Sequence, residues 1–196
     1  MYAILAEDNS DIECLKVLIK RIAKDNSIKI KGRGFSGCAK MLRDGWKDLE
    51  KLQNTGYDKF IICYDRDKDA YQKRYDAVVT KIIKRSGINK SKNKICILIP
   101  TEEIEAWILA DIKAVSTVIS SWKPTKEFPN PESIINPKEK LKKLSETKKS
   151  KPLYDHVTHN QRILEKVDLG IVKNKCPSFK VLADFIEHGT PNYPKK

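Results

Sequence analysis

Apolar residues first gather in a run of strand length, Tyr2 to Ala6, and then recur at helical spacing as Ile12, Leu15, Ile19 and Ile22, with Asn9 or Ser10 placed to cap that helix. The same change of period repeats along the chain. Ile28 and Ile30 alternate with polar neighbours over Ser27–Lys31, which predicts a second strand ending in a turn at Gly32-Arg33-Gly34. Leu42, Trp46, Leu49 and Leu52 mark the buried stripe of a helix that opens at Gly37. Phe60 to Cys63 is a continuous apolar run inside a third strand, Asp58–Tyr64, of the kind found where both faces of a sheet are covered. Tyr71, Tyr75, Val78, Val79, Ile82 and Ile83 line a third helix from Ala70 to Arg85. A fourth strand, Ile95–Ile99, is closed by Pro100, and Thr101 stands where it can cap a helix carrying Ile104, Trp107, Ile108 and Val115.

Strands that alternate with helices predict an α/β fold, a mostly parallel sheet with helices on both faces. The pattern changes after Trp122. Pro124, Pro129, Pro131 and Pro137 interrupt the chain and no strand-like run follows. Residues 1–122 are therefore read as the α/β domain, and residues 123–196 as a lysine-rich helical appendage packed on it.

Composition adds three constraints. At 40% apolar and 33% charged residues, the chain of 196 residues is globular with a heavily charged surface. Its apolar runs fall far short of the ~20 residues that span a bilayer, and no export signal is visible. Five cysteines without metal-ligand spacing, with Cys14, Cys63 and Cys96 in apolar runs, suit buried thiols in a reducing cytoplasm. The net charge of +13 favours a polyanion such as DNA or RNA. Lys138, Lys140, Lys142, Lys143, Lys148, Lys149 and Lys151 are the candidate contacts, although a run of this kind also serves simply as a solvated helix face.

Against this basic background, carboxylates collect where the predicted strands end, the side of an open parallel sheet on which functional groups converge. Glu7 follows the first strand, with Asp11 one helical turn on; Asp65 and Asp67 follow the third; Glu102, Glu103 and Glu105 follow the fourth. The two-residue spacing of Asp65 and Asp67 turns both side chains to one side of an extended segment. Carboxylates from separate strands suit Mg2+ or Mn2+, which take hard oxygen ligands. Asp8, Asp11, Asp69, Glu102 and Glu103 also fit as helix caps or as favourable charges at helix amino ends. Glu7 and Asp65 have no such use, because each directly terminates an apolar strand. His156, His159 and His188 have no matching acidic partner in this reading, and Trp46 and Trp107 read as core.

The Glu7-Asp8-Asn9-Ser10-Asp11 segment, the glycine-containing region from Gly34 to Gly37 and Asp65-Arg66-Asp67 resemble the Toprim fold of topoisomerases, primases and OLD-family nucleases. With Glu103-Ile104-Glu105-Ala106-Trp107, Asp111 and Cys176-Pro177-Ser178-Phe179, the chain resembles a family of small bacterial Toprim-like proteins over nearly its whole length. The resemblance implies that Asp65 and Asp67 hold a metal ion, that Glu7 is a ligand or general acid/base, that Asp11 matches a further acidic position of OLD-type nucleases, and that Glu103 and Glu105 complete the set. It also implies a basic residue near the phosphate, for which Lys180 is the candidate, and a partner ATPase of the ABC type in a phage-defence setting. Asp8 departs from the pattern, since Toprim proteins usually carry glycine after the glutamate.

The function expected on these grounds is a Mg2+-dependent nuclease or related phosphotransfer enzyme acting on phosphodiesters. Two alternatives stand beside it. Leu5-Ala6-Glu7-Asp8-Asn9 with Asp65 also resembles the acidic pocket of receiver domains, and an inactive Toprim scaffold would bind a partner without chemistry.

Overall fold

The computed structural model describes residues 1–66, 68–146 and 152–193. Four strands, β1 (Tyr2–Ala6), β2 (Ile30–Gly34), β3 (Lys59–Cys63) and β4 (Lys94–Leu98), form one all-parallel sheet in the order β2-β1-β3-β4. The fold is thus α/β, with helices on both faces of the sheet and further helices toward the carboxyl end. Alternation along the strands divides the core in two. Tyr2, Ile4, Ala6, Ile61, Cys63, Cys96 and Leu98 face one apolar cluster, built with α1 (Asn9–Ala23) and the later helices. Ala3, Leu5, Phe60, Ile62, Ile97 and Ile99 face the other, built with α2 (Cys38–Asn54) and α3 (Tyr71–Val78).

The second strand begins three residues later than the expected Ser27–Lys31, and the glycines read as its closing turn lie inside it. Close packing of α1 is the cause. A Cβ on Gly32 would lie 2.1 Å from Ile12 Cγ2, and one on Gly34 would lie 2.4 Å from Asn9 Oδ1. Only glycine lets helix and edge strand approach so closely. The cap of α1 likewise moves by one residue: Asp8 accepts from Asp11 N (3.0 Å) and from Ser10 Oγ (2.7 Å).

The buried stripe of α2 is Met41, Gly45, Leu49 and Leu52, leaving Leu42 and Trp46 half-buried. Trp46 instead packs beneath the Arg85 guanidinium, 4.8 Å from its ring centre. After Val78 the third helix widens into a π turn over Val79–Ile83, closed by Lys84 N donating to Val79 O (2.9 Å), so that Ile82 and Ile83 are both buried.

Beyond β4, Thr101 does not cap a helix; its hydroxyl donates to Glu132 Oε2 (3.1 Å). Helix α4 (Glu105–Ala110) starts four residues later and is buried all round, as a helix through the centre of a core must be. A 3₁₀ turn (Ile112–Thr117) follows it. Helices α5 (Pro137–Leu144), α6 (His156–Leu164), α7 (Leu169–Lys175) and α8 (Pro177–His188) add Leu141, Ile163, Leu164, Val172, Phe179 and Phe185 to the same cluster as β1 and α1. Helix α8 lies against β4 and α1. Trp107 joins α4 to α8: its Nε1 donates to Ser178 Oγ (2.9 Å) and its ring meets Phe179 edge-on at 5.3 Å. Among the described residues no helix is long and apolar enough to cross a membrane, and all five cysteines are thiols, with Cys14, Cys63, Cys96 and Cys176 buried.

Candidate metal centre at the strand ends

Parallel pairing carries β1 and β3 side by side to their carboxyl ends and sets Glu7 beside Asp65. Each backbone is pinned there. Gly37 N donates to Glu7 O (3.1 Å), while Tyr64 N and Arg66 N donate to Leu98 O (2.9 Å) and Pro100 O (3.0 Å) on either side of Asp65. Asp65 N in turn donates to Glu7 Oε1 at 3.3 Å, a direct link between the two strand ends.

The carboxylates of the fourth strand's loop join from the β4 side. Glu105 opens α4 and is only 3% exposed, yet it keeps two polar partners: Asn160 Nδ2 of α6 donates to its Oε1 (3.0 Å), and the Lys138 ammonium lies 3.8 Å from the same atom. Asn160 is held by the buried Tyr154 hydroxyl, which donates to its Oδ1. Glu103 accepts from Lys138 N (3.0 Å), and its other oxygen lies 3.1 Å from Lys138 Nζ.

Charge is therefore concentrated. Burial pushes the Asp11 carboxyl well above the usual range, and the neighbouring Asp8, Glu105 and Glu7 carboxylates push it further, with Lys138 opposing. Burial also raises Glu105, with Lys138 again acting against it and Glu103 adding to it. For Lys138, burial lowers the pKa but is outweighed by Glu105, Glu103 and Asp65, and the ammonium is held charged. Asp8 goes the opposite way to Asp11: burial raises it, but the Ser10 hydroxyl and the Asp11 and Ser10 backbone amides outweigh that and lower it, as expected of a helix cap.

The expected ligands Glu7, Asp11, Asp65, Glu103 and Glu105 thus converge at one end of the sheet, while Asp67 lies outside the described residues. The expected polyanion contacts separate. Lys138 faces the carboxylates; Lys140, Lys142 and Lys143 lie on α5 with Lys143 exposed and Lys142 paired to Glu139 (2.7 Å); Lys148, Lys149 and Lys151 lie outside the described residues. Lys180 projects from α8 into solvent, and no described contact joins it to the carboxylates. Lys138 is the site cation that composition does not single out. A signal is present, since a lysine in the first turn of a helix opposes the helix dipole and calls for acidic partners nearby. Nothing in the sequence marks Asn160.

Carboxylate oxygens are chemically suited to Mg2+ or Mn2+, and the mutual repulsion felt at Asp11 is what a divalent cation would relieve. Among the described residues, the donors already gathered within 4.8 Å of one another are others: Asp184, Glu187 and His188, at the far end of α8. His188, expected to lack an acidic partner, sits 3.6 Å from Glu187, but Lys173 already neutralises Glu187 (2.7 Å) and Asp184 (3.5 Å). The strand-end carboxylates are held more widely, around the Lys138 ammonium.

Comparison with family models matches residues 6–187 to DUF4276, a domain of unknown function, and the chain belongs to that family. Comparison with curated proteins finds no match, and neither does comparison with solved structures.

Proposed function

Taking the chain as a DUF4276 member, we propose that it is a metal-dependent nuclease of Toprim type, acting on the phosphodiesters of DNA or RNA in the cytoplasm. The observation that carries this reading is the pairing of Glu7 and Asp65 on adjacent parallel strand ends, 3.3 Å apart through the Asp65 amide, with Asp11, Glu103 and Glu105 around them. Asp65, Asp67 and Glu105 would hold Mg2+ or Mn2+, with Asp11 and Glu103 completing the set. When bound, the ion supplies positive charge that offsets the negative charge gathering on a phosphodiester as its ester bond breaks.

The chain's own residues do the rest. Glu7, fixed by Gly37 and by the Asp65 amide, is the base that takes a proton from the attacking water as its oxygen bonds to phosphorus and the ester oxygen leaves. Lys138 neutralises Glu103 and Glu105 and brings a cation to the edge of the site. The lysines of α5 hold the phosphate backbone without reading bases, so sequence preference is weak. An ABC-type ATPase remains the partner that the Toprim resemblance implies.

Calorimetry tests the assignment: Mn2+ should bind the wild-type chain, and Asp65→Ala should abolish that binding. Undiminished binding in the variant rejects it. One observation favours a receiver-like module instead, namely the order β2-β1-β3-β4, which is shared with flavodoxin-like folds. That reading requires acetyl phosphate to phosphorylate Asp65, and no nucleic acid to be cut.

A further inference from the structure

A pocket of about 200 Å³ opens between the amino ends of α1 and α6, immediately beside the carboxylates. The buried Cys14 and Asn160 form its base, and Asn160 is the residue whose amide donates to Glu105. Ser10, which also lines the pocket, donates to Asp8. Whatever enters the pocket is therefore one residue away from the proposed metal ligands. Pockets for drug-sized molecules span about 300–1,000 Å³, so this smaller space suits a single ring system.

The lining chemistry narrows the occupant further. Among the described residues no lysine or arginine lines the pocket, and the one carboxylate that does, Glu13, is paired with Lys16 at 2.7 Å. It is built for a neutral group rather than for a phosphate. Asn9 and Gln161 offer amide donors and acceptors, Ser10 offers its hydroxyl oxygen as an acceptor, and the His156 ring stands beside them. Val157, 68% exposed at the rim, supplies an apolar edge open to solvent. A flat heterocycle with donors and acceptors along its edge and an apolar face satisfies all of these together.

We propose that this pocket takes one unstacked nucleobase of a single-stranded nucleic acid, next to the phosphodiester held over the carboxylates. The inference rests on the nuclease reading and adds its substrate class: a base stacked and paired in a duplex cannot reach the pocket unless it is flipped out.

The experiment uses an oligothymidylate carrying a single 2-aminopurine, the full chain in its Glu7→Gln form and Mn2+, so that capture is read without cleavage. The 2-aminopurine emission should change at one position along the strand. Val157→Asp and Gln161→Ala, both at solvent-accessible sites, should remove that change and weaken single-strand binding about ten-fold, on the scale of losing one hydrogen bond or one small apolar contact. Duplex binding should not move. Emission and affinity that are the same in both variants as in the parent overturn the proposal, as does a duplex that binds equally well with its 2-aminopurine still paired. Because no step of this assay requires cleavage, a silent reporter with an actively cleaving wild type rejects the pocket alone, whereas base capture without cleavage rejects the nuclease reading alone.

Discussion

Lys138→Met probes the charge balance of the strand-end site while retaining most of the side-chain stem. The ammonium lies 3.1 Å from Glu103 and 3.8 Å from Glu105. At an effective dielectric near 20 these separations correspond to gross attractions of roughly 5 and 4 kcal/mol, most of which is offset by desolvation. Removing one partner of a fully buried pair costs roughly 3–5 kcal/mol. Lys138 and Glu103 are each about a quarter exposed while Glu105 is buried, so a net loss of about 2–3 kcal/mol is expected. For a chain of this size that lowers Tm by roughly 4–12 °C. Scanning calorimetry in a chelating buffer reads it directly. Adding Glu105→Gln, which removes the charge left stranded in the core, should restore most of the loss. Saturating Mn2+ should raise the melting temperature of Lys138→Met more than that of the parent. A variant as stable as the parent in chelator, or one that Glu105→Gln fails to rescue, refutes the electrostatic account.

Asp11→Asn tests the repulsion on the other side of the site. The native Asp11 pKa is raised, so its favourable contribution is complete below the ordinary carboxylate range near pH 4 and is lost as pH rises through the raised value. The asparagine variant should accordingly be more stable than the parent at neutral pH, with the difference shrinking toward acid in urea melts. Gly32→Ala places a methyl against Ile12 and should cost about 1–3 kcal/mol by denaturant titration, and less when Ile12 is already alanine. Neutralising Lys140, Lys142 and Lys143 should flatten the log–log salt dependence of duplex DNA binding by about 0.9 for each phosphate that no longer meets a lysine; an unaltered slope returns these lysines to the solvated face.

The strands and helices that carry the site are legible because their period is regular. Apolar runs ending in Glu7 and Asp65 mark two covered parallel strands, and adjacency of those strands follows once the chain folds as α/β. The second strand is displaced from its expected place because Gly32 and Gly34 read locally as a turn, whereas their use is the tertiary approach of Ile12 and Asn9, which no local window contains. Trp46 reads as core on its size, but a stripe set by Met41, Gly45 and Leu49 turns it aside toward Arg85. The helix after β4 starts late because Thr101 commits its hydroxyl to Glu132, a partner 31 residues away. For the same reason Lys138 groups, in the sequence, with its lysine neighbours. Its separation from Lys140 and Lys143 depends on the face of α5 turned to Glu103 and Glu105, and long-range pairing of that kind is invisible to a lysine count.

Cleavage itself is the measurement that bears most directly on the central claim. Labelled single-stranded DNA and RNA incubated with the chain and Mg2+ or Mn2+ should be cut, with no cutting in chelator. Glu7→Gln should keep its melting profile and most of its Mn2+ affinity yet lose about 100-fold or more in rate, as expected when a general base is removed. Should the wild-type chain, alone and with a partner ATPase, leave every substrate intact, or should cleavage survive both Glu7→Gln and Asp65→Asn, the strand-end carboxylates are not the catalytic site.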